Sequence, residues 1–160
     1  MDKKTITIKK KIEKEDEIYT DELHRKQIED LNLLYLNEIK REQKPYIEMV
    51  RKIKRKCQHY KQQDIQKRRI LSSQFMISLE LCLELLVESK LNCSYCLKPV
   101  FIEYYHERYP YQWTLDRIDN NKPHIISNLV ISCLKCNLQK RRQCDSHFRL
   151  VKQMRIRKIE

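Results

Sequence analysis

Apolar residues recur at intervals of three and four in the first half of the chain, which is the period of an α-helix. The pattern predicts a first helix from Thr20 or Asp21 to about residue 43, a second over residues 46–69, and a third that Ser78 caps and that runs to about residue 89. The inward positions predicted for the first helix are Leu23, Ile28, Leu31, Leu34 or Tyr35, and Ile39. The apolar stripe of the second is Tyr46, Val50, Ile53, Cys57 and Tyr60.

Helical periodicity stops at Leu91, and β-prone segments follow. Residues 112–118 and 129–133 are predicted strands, residues 119–123 the turn between them, and residues 136–142 a helix. The chain is therefore predicted to be α+β, with Trp113 packed under the hairpin. Because the sequence has no glycine, we expect turn positions with positive φ to fall on Asn or Asp, such as Asn120 or Asn121.

Positive charge lies on both sides of the predicted hairpin. The net charge is +12, of which residues 40–69 carry +9 and residues 138–160 carry +6, whereas residues 70–137 carry −1. This balance favours a polyanionic partner, nucleic acid first and an anionic membrane surface second. A solvated helix face is the alternative for the second helix, but the density of one sign favours phosphate contact. The predicted phosphate contacts are Arg51, Lys54, Arg55, Lys140, Arg141 and Arg142.

The N-terminal region is polar, and no apolar run reaches the roughly 18 residues of a membrane span. We therefore expect an intracellular protein of the cytoplasm, nucleus or virion that is neither secreted nor inserted in a membrane. Thiols stay reduced there, so metal binding explains seven cysteines better than disulfides do. Cys57, Cys82 and Cys144 are expected to be buried or incidental thiols.

Two Cys-x-x-Cys pairs enclose the predicted hairpin. Cys93, Cys96, Cys133 and Cys136 have the spacing of a four-thiolate zinc site, which is structural because it has no open position. A redox role is disfavoured, since two pairs are present without a thioredoxin-like pattern. The predicted organisation is a polar tail at 1–18, a helical basic region at 19–90, a zinc-stapled finger at 91–145, and a basic helix or tail at 146–160.

Residues 93–140 resemble the HNH endonucleases of the zinc-stapled ββα-metal (His-Me finger) type. The resemblance is carried by Trp-Thr-Leu-Asp-Arg-Ile-Asp-Asn from residue 113, Ser-Asn-Leu-Val from 127, and Ser-Cys-Leu-Lys-Cys-Asn from 132. It is strongest to HNH proteins encoded by large DNA viruses and phages. The resemblance implies hydrolysis of DNA phosphodiester bonds with one catalytic Mg²⁺ or Mn²⁺, in addition to the structural zinc.

The resemblance also implies roles for individual residues. Asp116 matches the aspartate that binds the catalytic ion, and Asn137 matches the last motif position, which completes that site. Asn128 matches the asparagine that ties the hairpin loop. Carboxylate and amide oxygens suit a hard divalent cation beside a phosphodiester.

One position departs from the family pattern, because Arg117 stands where the family has its general-base histidine. An arginine stays protonated and cannot take a proton from water, but it can clamp a phosphate. His124 is the nearest replacement base; a turn or phosphate-contacting role is its alternative. Asp119 is expected to stabilise the turn; its alternatives are a second ion ligand and a water-activating group. His106 is a weaker candidate, and His24, His59 and His147 are expected at the surface.

Two functions lead among those compatible with this sequence, and a preference for RNA or a protein-interaction role is a lesser alternative. The first is a metal-dependent DNA endonuclease whose catalytic set is Asp116, Arg117, His124, Asn128 and Asn137. The alternative is a zinc-stapled DNA-binding or packaging protein whose scaffold has weak or lost catalysis. Arg117 favours the second function, and the presence of both Asp116 and Asn137 favours the first.

Overall fold

The computed structural model describes residues 19–36, 44–69 and 77–154. These ranges contain five helices and one two-stranded antiparallel sheet, which confirms the α+β class. In chain order they are α1 (Asp21–Tyr35), α2 (Lys44–Gln66), α3 (Leu79–Glu88), β1 (Trp113–Arg117), β2 (Leu129–Cys133), α4 (Leu134–Lys140) and α5 (Asp145–Gln153). The predicted tail at 1–18, Ile39 and residues 155–160 lie outside the described residues.

Helix α1 begins at the predicted cap, where the Thr20 hydroxyl accepts a hydrogen bond from the Leu23 amide at 3.2 Å. The described helix runs to Tyr35, and the predicted end near residue 43 lies outside the described residues. The prediction that His24 lies at the surface is wrong. Its ring is buried and hydrogen bonds through Nε2 to the Leu91 carbonyl at 2.9 Å.

Helices α2 and α3 follow the apolar pattern. The middle of the α2 stripe is buried at Ile53 and Cys57, and the ring of Tyr60 packs beside it. The Ser78 hydroxyl caps α3 by accepting from the Leu81 amide at 3.2 Å, as predicted. Helix α3 buries its apolar face against α1 and α2, so the three helices share one apolar layer.

Strands β1 and β2 form an antiparallel hairpin in which Trp113 pairs with Cys133 and Arg117 with Leu129. Trp113 is fully buried, which confirms that it packs under the hairpin. Helix α4 begins at Leu134, two positions before the predicted start. The reason is that the Cys133 side chain caps it, accepting from the Cys136 amide at 3.4 Å.

Positive φ angles fall on none of the residue types we predicted. In the described ranges they occur at Arg68, Lys90, Leu91, Leu97 and Arg141, each with φ between 50° and 60°. A side chain in this region costs roughly 1–2 kcal/mol per residue, so the surrounding contacts must offset it. Leu91, for example, ends α3 with its amide bonded to the Leu86 carbonyl and its side chain in the core.

The helical region and the hairpin share one hydrophobic core. Buried side chains from α1, α2 and α3 and from β1, β2 and the cysteine knuckles belong to a single cluster. The hairpin is consequently packed directly against the basic helix α2. Among the described residues, no helix is long and apolar enough to cross a membrane.

Candidate functional site

The four predicted cysteines form a compact cluster at the base of the hairpin. Their sulfur atoms all lie within 4.8 Å of one another, and the Sγ atoms of Cys96 and Cys133 are 3.9 Å apart. A tetrahedral Zn²⁺ with bonds of about 2.3 Å requires sulfur atoms about 3.8 Å apart, so the donor set fits zinc. Zinc binding requires all four cysteines to be thiolates, so it would release their protons.

A cleft of about 230 Å³ opens between β1, α4 and α2. The predicted catalytic residues Asp116, Arg117, His124 and Asn137 all line it. We call it the hairpin cleft. Arg141 and two side chains of α2, Tyr60 and Gln63, contribute to its wall. The fold therefore brings together four of the five residues in the predicted catalytic set.

Asp116 is buried, and its Oδ2 atom has two partners. The Tyr95 hydroxyl is 2.7 Å away and the Lys140 ammonium 3.3 Å away. Burial raises the pKa of Asp116, whereas the Tyr95 hydrogen bond and the Lys140 charge counter that effect. The Tyr95 hydroxyl is also 2.8 Å from Asp145 Oδ1, and burial and both carboxylates raise the pKa of Tyr95. Having one proton, this hydroxyl donates to one carboxylate at a time.

Asn137 is held in place by the strand beside it. Its Nδ2 atom donates to the Thr114 hydroxyl at 3.1 Å and lies 3.5 Å from the Leu115 carbonyl. Since the amide nitrogen is directed at β1, the amide oxygen is left for another partner. A carboxylate and an amide oxygen at one cleft form a donor set that fits Mg²⁺ or Mn²⁺.

Arg117 lies at the end of β1 and remains partly exposed. Its guanidinium lies 3.3 Å from the Lys122 carbonyl and 3.5 Å from Asn120 Oδ1, so the turn orients it. Burial lowers the pKa of Arg117, and the positive charge of Arg69 lowers it further. A guanidinium facing the cleft can bind a phosphate oxygen but cannot accept a proton.

His124 is buried beside the cleft and is contacted by α2. Its Nδ1 atom is 2.9 Å from Asp64 Oδ2, and its amide donates to the same oxygen at 2.6 Å. The ring of Tyr60 lies 4.7 Å from the imidazole. Burial lowers the pKa of His124 and Asp64 raises it, while Arg117 and Arg69 lower it further. The net lowering leaves the imidazole neutral near pH 7, the form that can accept a proton.

Asn128 holds the loop between the strands through three hydrogen bonds. Its Oδ1 accepts from the Asp119 amide at 2.8 Å, and its Nδ2 donates to the Asp119 and Pro123 carbonyls. Asn128 is buried and does not line the cleft. Asp119 is a turn residue, because its Oδ1 accepts from the Asn121 amide at 2.9 Å.

The predicted phosphate contacts on either side of the cleft differ in exposure. Lys140 is fully buried, with its ammonium donating to the Arg117 carbonyl at 2.6 Å, so its prediction as a phosphate contact is wrong. Arg141 and Arg142 are exposed. Arg141 lines the cleft, and Arg142 lines a larger depression of about 700 Å³ next to it. Asn120 lines both, so the two cavities adjoin.

Helix α2 presents its predicted phosphate contacts to solvent. Arg51, Lys54 and Arg55 are exposed. The neighbouring Lys56 instead turns inward, donating to Gln112 Oε1 at 3.0 Å and to the Trp113 carbonyl. Its ammonium lies 4.7 Å from the Trp113 ring centroid, and burial lowers its pKa to about 7. One face of α2 therefore presents charge to solvent, and another anchors the helix to the hairpin.

The sequence analysis gave no role to Tyr95 and Asp64 and a wrong role to Lys140. Tyr95 lies inside the first cysteine pair and hydrogen bonds to Asp116. Its position, an aromatic residue between two predicted zinc ligands, is the sequence feature that could have identified it. Asp64 lies four residues after Tyr60 on the same helix face. Its partner His124 is sixty residues away in the chain, so local pattern does not indicate the contact. Lys140 precedes two arginines, so its charge suggested surface contact.

Comparison with known protein families gives one match. The family model described as HNH endonuclease matches residues 93–143, from the first cysteine of the cluster to just beyond α4. The cysteine cluster and the cleft-lining residues of β1, α4 and the loop all lie inside this segment. Neither a curated protein nor a solved structure matched the chain.

Proposed function

We propose that this protein is a metal-dependent endonuclease that hydrolyses phosphodiester bonds in DNA. The match of residues 93–143 to the HNH endonuclease family model supports this proposal. The observation that carries the proposal is that Asp116, Arg117, His124 and Asn137 line one cleft. Their chemistry is complementary: two oxygen donors, one cation and one neutral imidazole. The zinc-binding knuckles hold the hairpin whose first strand supplies Asp116 and Arg117.

In this proposal Asp116 and Asn137 hold Mg²⁺ or Mn²⁺. When bound, the ion offsets negative charge on the scissile phosphate and on the leaving oxygen. Arg117 binds a phosphate oxygen. Asn128 acts indirectly by fixing the loop that carries His124.

His124 takes the proton of the attacking water in this proposal. One P–O bond forms to that water and one breaks, and the leaving oxygen is protonated from solvent. A positioned base contributes about 10²- to 10⁴-fold to such a rate, so a base is needed to replace the histidine absent at Arg117. The lowered pKa of His124 keeps it in the accepting form near neutral pH.

Nicking of supercoiled plasmid tests the proposal. We expect the wild-type protein to nick DNA with Mg²⁺ or Mn²⁺, and Asp116→Ala and Asn137→Ala each to reduce the rate by about 10²-fold or more. Exposed residues of α1 provide matched controls, Asp21→Ala and Asn32→Ala, which should keep the wild-type rate. Unchanged nicking in folded, zinc-loaded Asp116→Ala and Asn137→Ala would contradict the assignment.

A DNA-binding or packaging protein without cleavage is the second candidate. Two observations favour it: Arg117 occupies the general-base position, and Lys140 already neutralises Asp116, so a divalent cation must compete with it. This function predicts salt-sensitive DNA binding without nicking, unchanged by Asp116→Ala. The plasmid assay run beside a binding titration separates the two.

A further inference from the structure

We propose that Asp64 is a positioning residue for His124, so that the basic helix α2 completes the active site of the HNH domain. This inference rests on the proposed function. Asp64 lies outside the matched segment, sixty residues before its partner. It acts through the histidine, since it is His124 and not Asp64 that lines the hairpin cleft.

The contact is a two-point one between buried groups. Asp64 Oδ2 accepts the His124 backbone amide at 2.6 Å and lies 2.9 Å from Nδ1, and both side chains are only 4% exposed. A carboxylate can only accept, so Nδ1 carries the proton and Nε2 is left as the acceptor. The contact therefore selects the tautomer that a general base at Nε2 requires.

The other neighbours of His124 do not select its tautomer. Tyr60, one helical turn before Asp64, faces the imidazole, and Arg69 and Arg117 contribute positive charge nearby. Neither guanidinium can accept the Nδ1 proton. Asp64 is therefore the acidic group that can stabilise the imidazolium formed when His124 takes up a proton.

Burial of Asp64 is costly if its role is only structural. A charge removed from water costs several kcal/mol unless it is well paired, and the other oxygen, Oδ1, is buried with no hydrogen-bond partner among the described residues. A neutral asparagine could also accept the His124 backbone amide. The carboxylate adds a negative charge next to Nδ1, and this charge stabilises the imidazolium that forms when His124 takes up a proton.

Asp64→Asn tests the inference by two independent measurements. Nitrogen-15 NMR of the imidazole should show the Nδ1–H tautomer in the wild type and a shift towards Nε2–H in the variant, whose amide can donate to Nδ1. The nicking rate should fall by about 10²- to 10⁴-fold. Because Asp64 favours the protonated ring, its loss should move the acid-side inflection of the pH–rate profile to lower pH.

Asp21→Asn, which removes the same charge from an exposed position on α1, is the control and should change neither measurement. An Nε2–H tautomer in the wild type would overturn the inference without any variant, even if Asp64→Asn failed to fold. So would a folded Asp64→Asn with the wild-type tautomer and pH profile. If the wild type nicks no DNA, the proposed function fails, while the tautomer measurement still decides the role of Asp64.

Discussion

Lys140 is the residue whose position changes its interpretation most. Its ammonium is fully buried, 3.3 Å from the Asp116 carboxylate and bonded to the Arg117 carbonyl. The lysine therefore compensates a buried charge at the end of β1. It also joins α4 to the strand that carries two residues of the proposed site.

We predict that Lys140→Gln destabilises the fold by about 3–5 kcal/mol, because it leaves the buried Asp116 carboxylate without its counter-charge. Urea unfolding of the zinc-loaded protein measures this change. Lys135→Gln, on the exposed face of the same helix, is the control and should stay within about 0.5 kcal/mol of the wild type. Equal stability of the two variants would show that Lys140 does not neutralise Asp116.

Other residues show that residue type alone does not predict whether a side chain is exposed. His24 and Lys56 look like surface residues in the sequence, yet both are drawn inward by carbonyl partners on distant segments. Cys57 and Cys82 are buried thiols, whereas Cys144 is exposed. Burial of a polar side chain depends on a partner that folding supplies, and the local pattern does not contain it.

At the scale of elements, α2 has two faces with different surroundings. One face carries Arg51, Lys54 and Arg55 into solvent, and another carries Tyr60 and Asp64 to His124. A helix divided in this way can hold a nucleic-acid backbone outside while it supports the site inside. We propose that role for it.

Neutralising Arg51, Lys54 and Arg55 together to Gln should weaken DNA binding at least tenfold at low salt. The slope of log affinity against log salt should become shallower by about 3 if all three contact phosphates. Affinity measured by fluorescence anisotropy at several salt concentrations checks both quantities.

A matched triple variant controls for charge alone. Arg25, Lys26 and Lys90 are exposed on other parts of the molecule, and their change to Gln removes the same total charge. This control should shift the slope little. An equal effect of both triple variants would indicate general attraction rather than contact along α2.

At the scale of the whole molecule, the cysteine cluster and the apolar core support each other. The cluster closes the base of the hairpin, and its buried cysteines belong to the same hydrophobic cluster as α1, α2 and α3. Loss of metal should therefore affect more than the knuckles. It should release the hairpin and the cleft that the hairpin supports.

Cys93→Ser and Cys136→Ser should each lose zinc and unfold the C-terminal half, because a structural zinc site contributes folding free energy directly. Zinc content by mass spectrometry and thermal melting by circular dichroism are the measurements. Cys144→Ser, an exposed thiol outside the cluster, should retain both. Unchanged zinc content and melting in Cys93→Ser would refute the zinc assignment.

The sequence alone determined the features that depend on near neighbours in the chain. Periodicity and capping residues predicted α2 and α3, Cys-x-x-Cys spacing predicted the cluster, and the motif residues identified the segment that matches the HNH family. Helix ends and positive-φ positions were predicted less well, because a periodic pattern marks the buried face of a helix better than the backbone geometry at its ends.

Only the tertiary structure decided which distant side chains meet. The pairing of Asp64 with His124, of Tyr95 and Lys140 with Asp116, and of Lys56 with the hairpin joins segments that are 21 to 60 residues apart. Each pair exists because burial makes an uncompensated charge or polar group costly, so the fold must supply a partner. That requirement follows from packing of the whole chain, which local pattern does not encode.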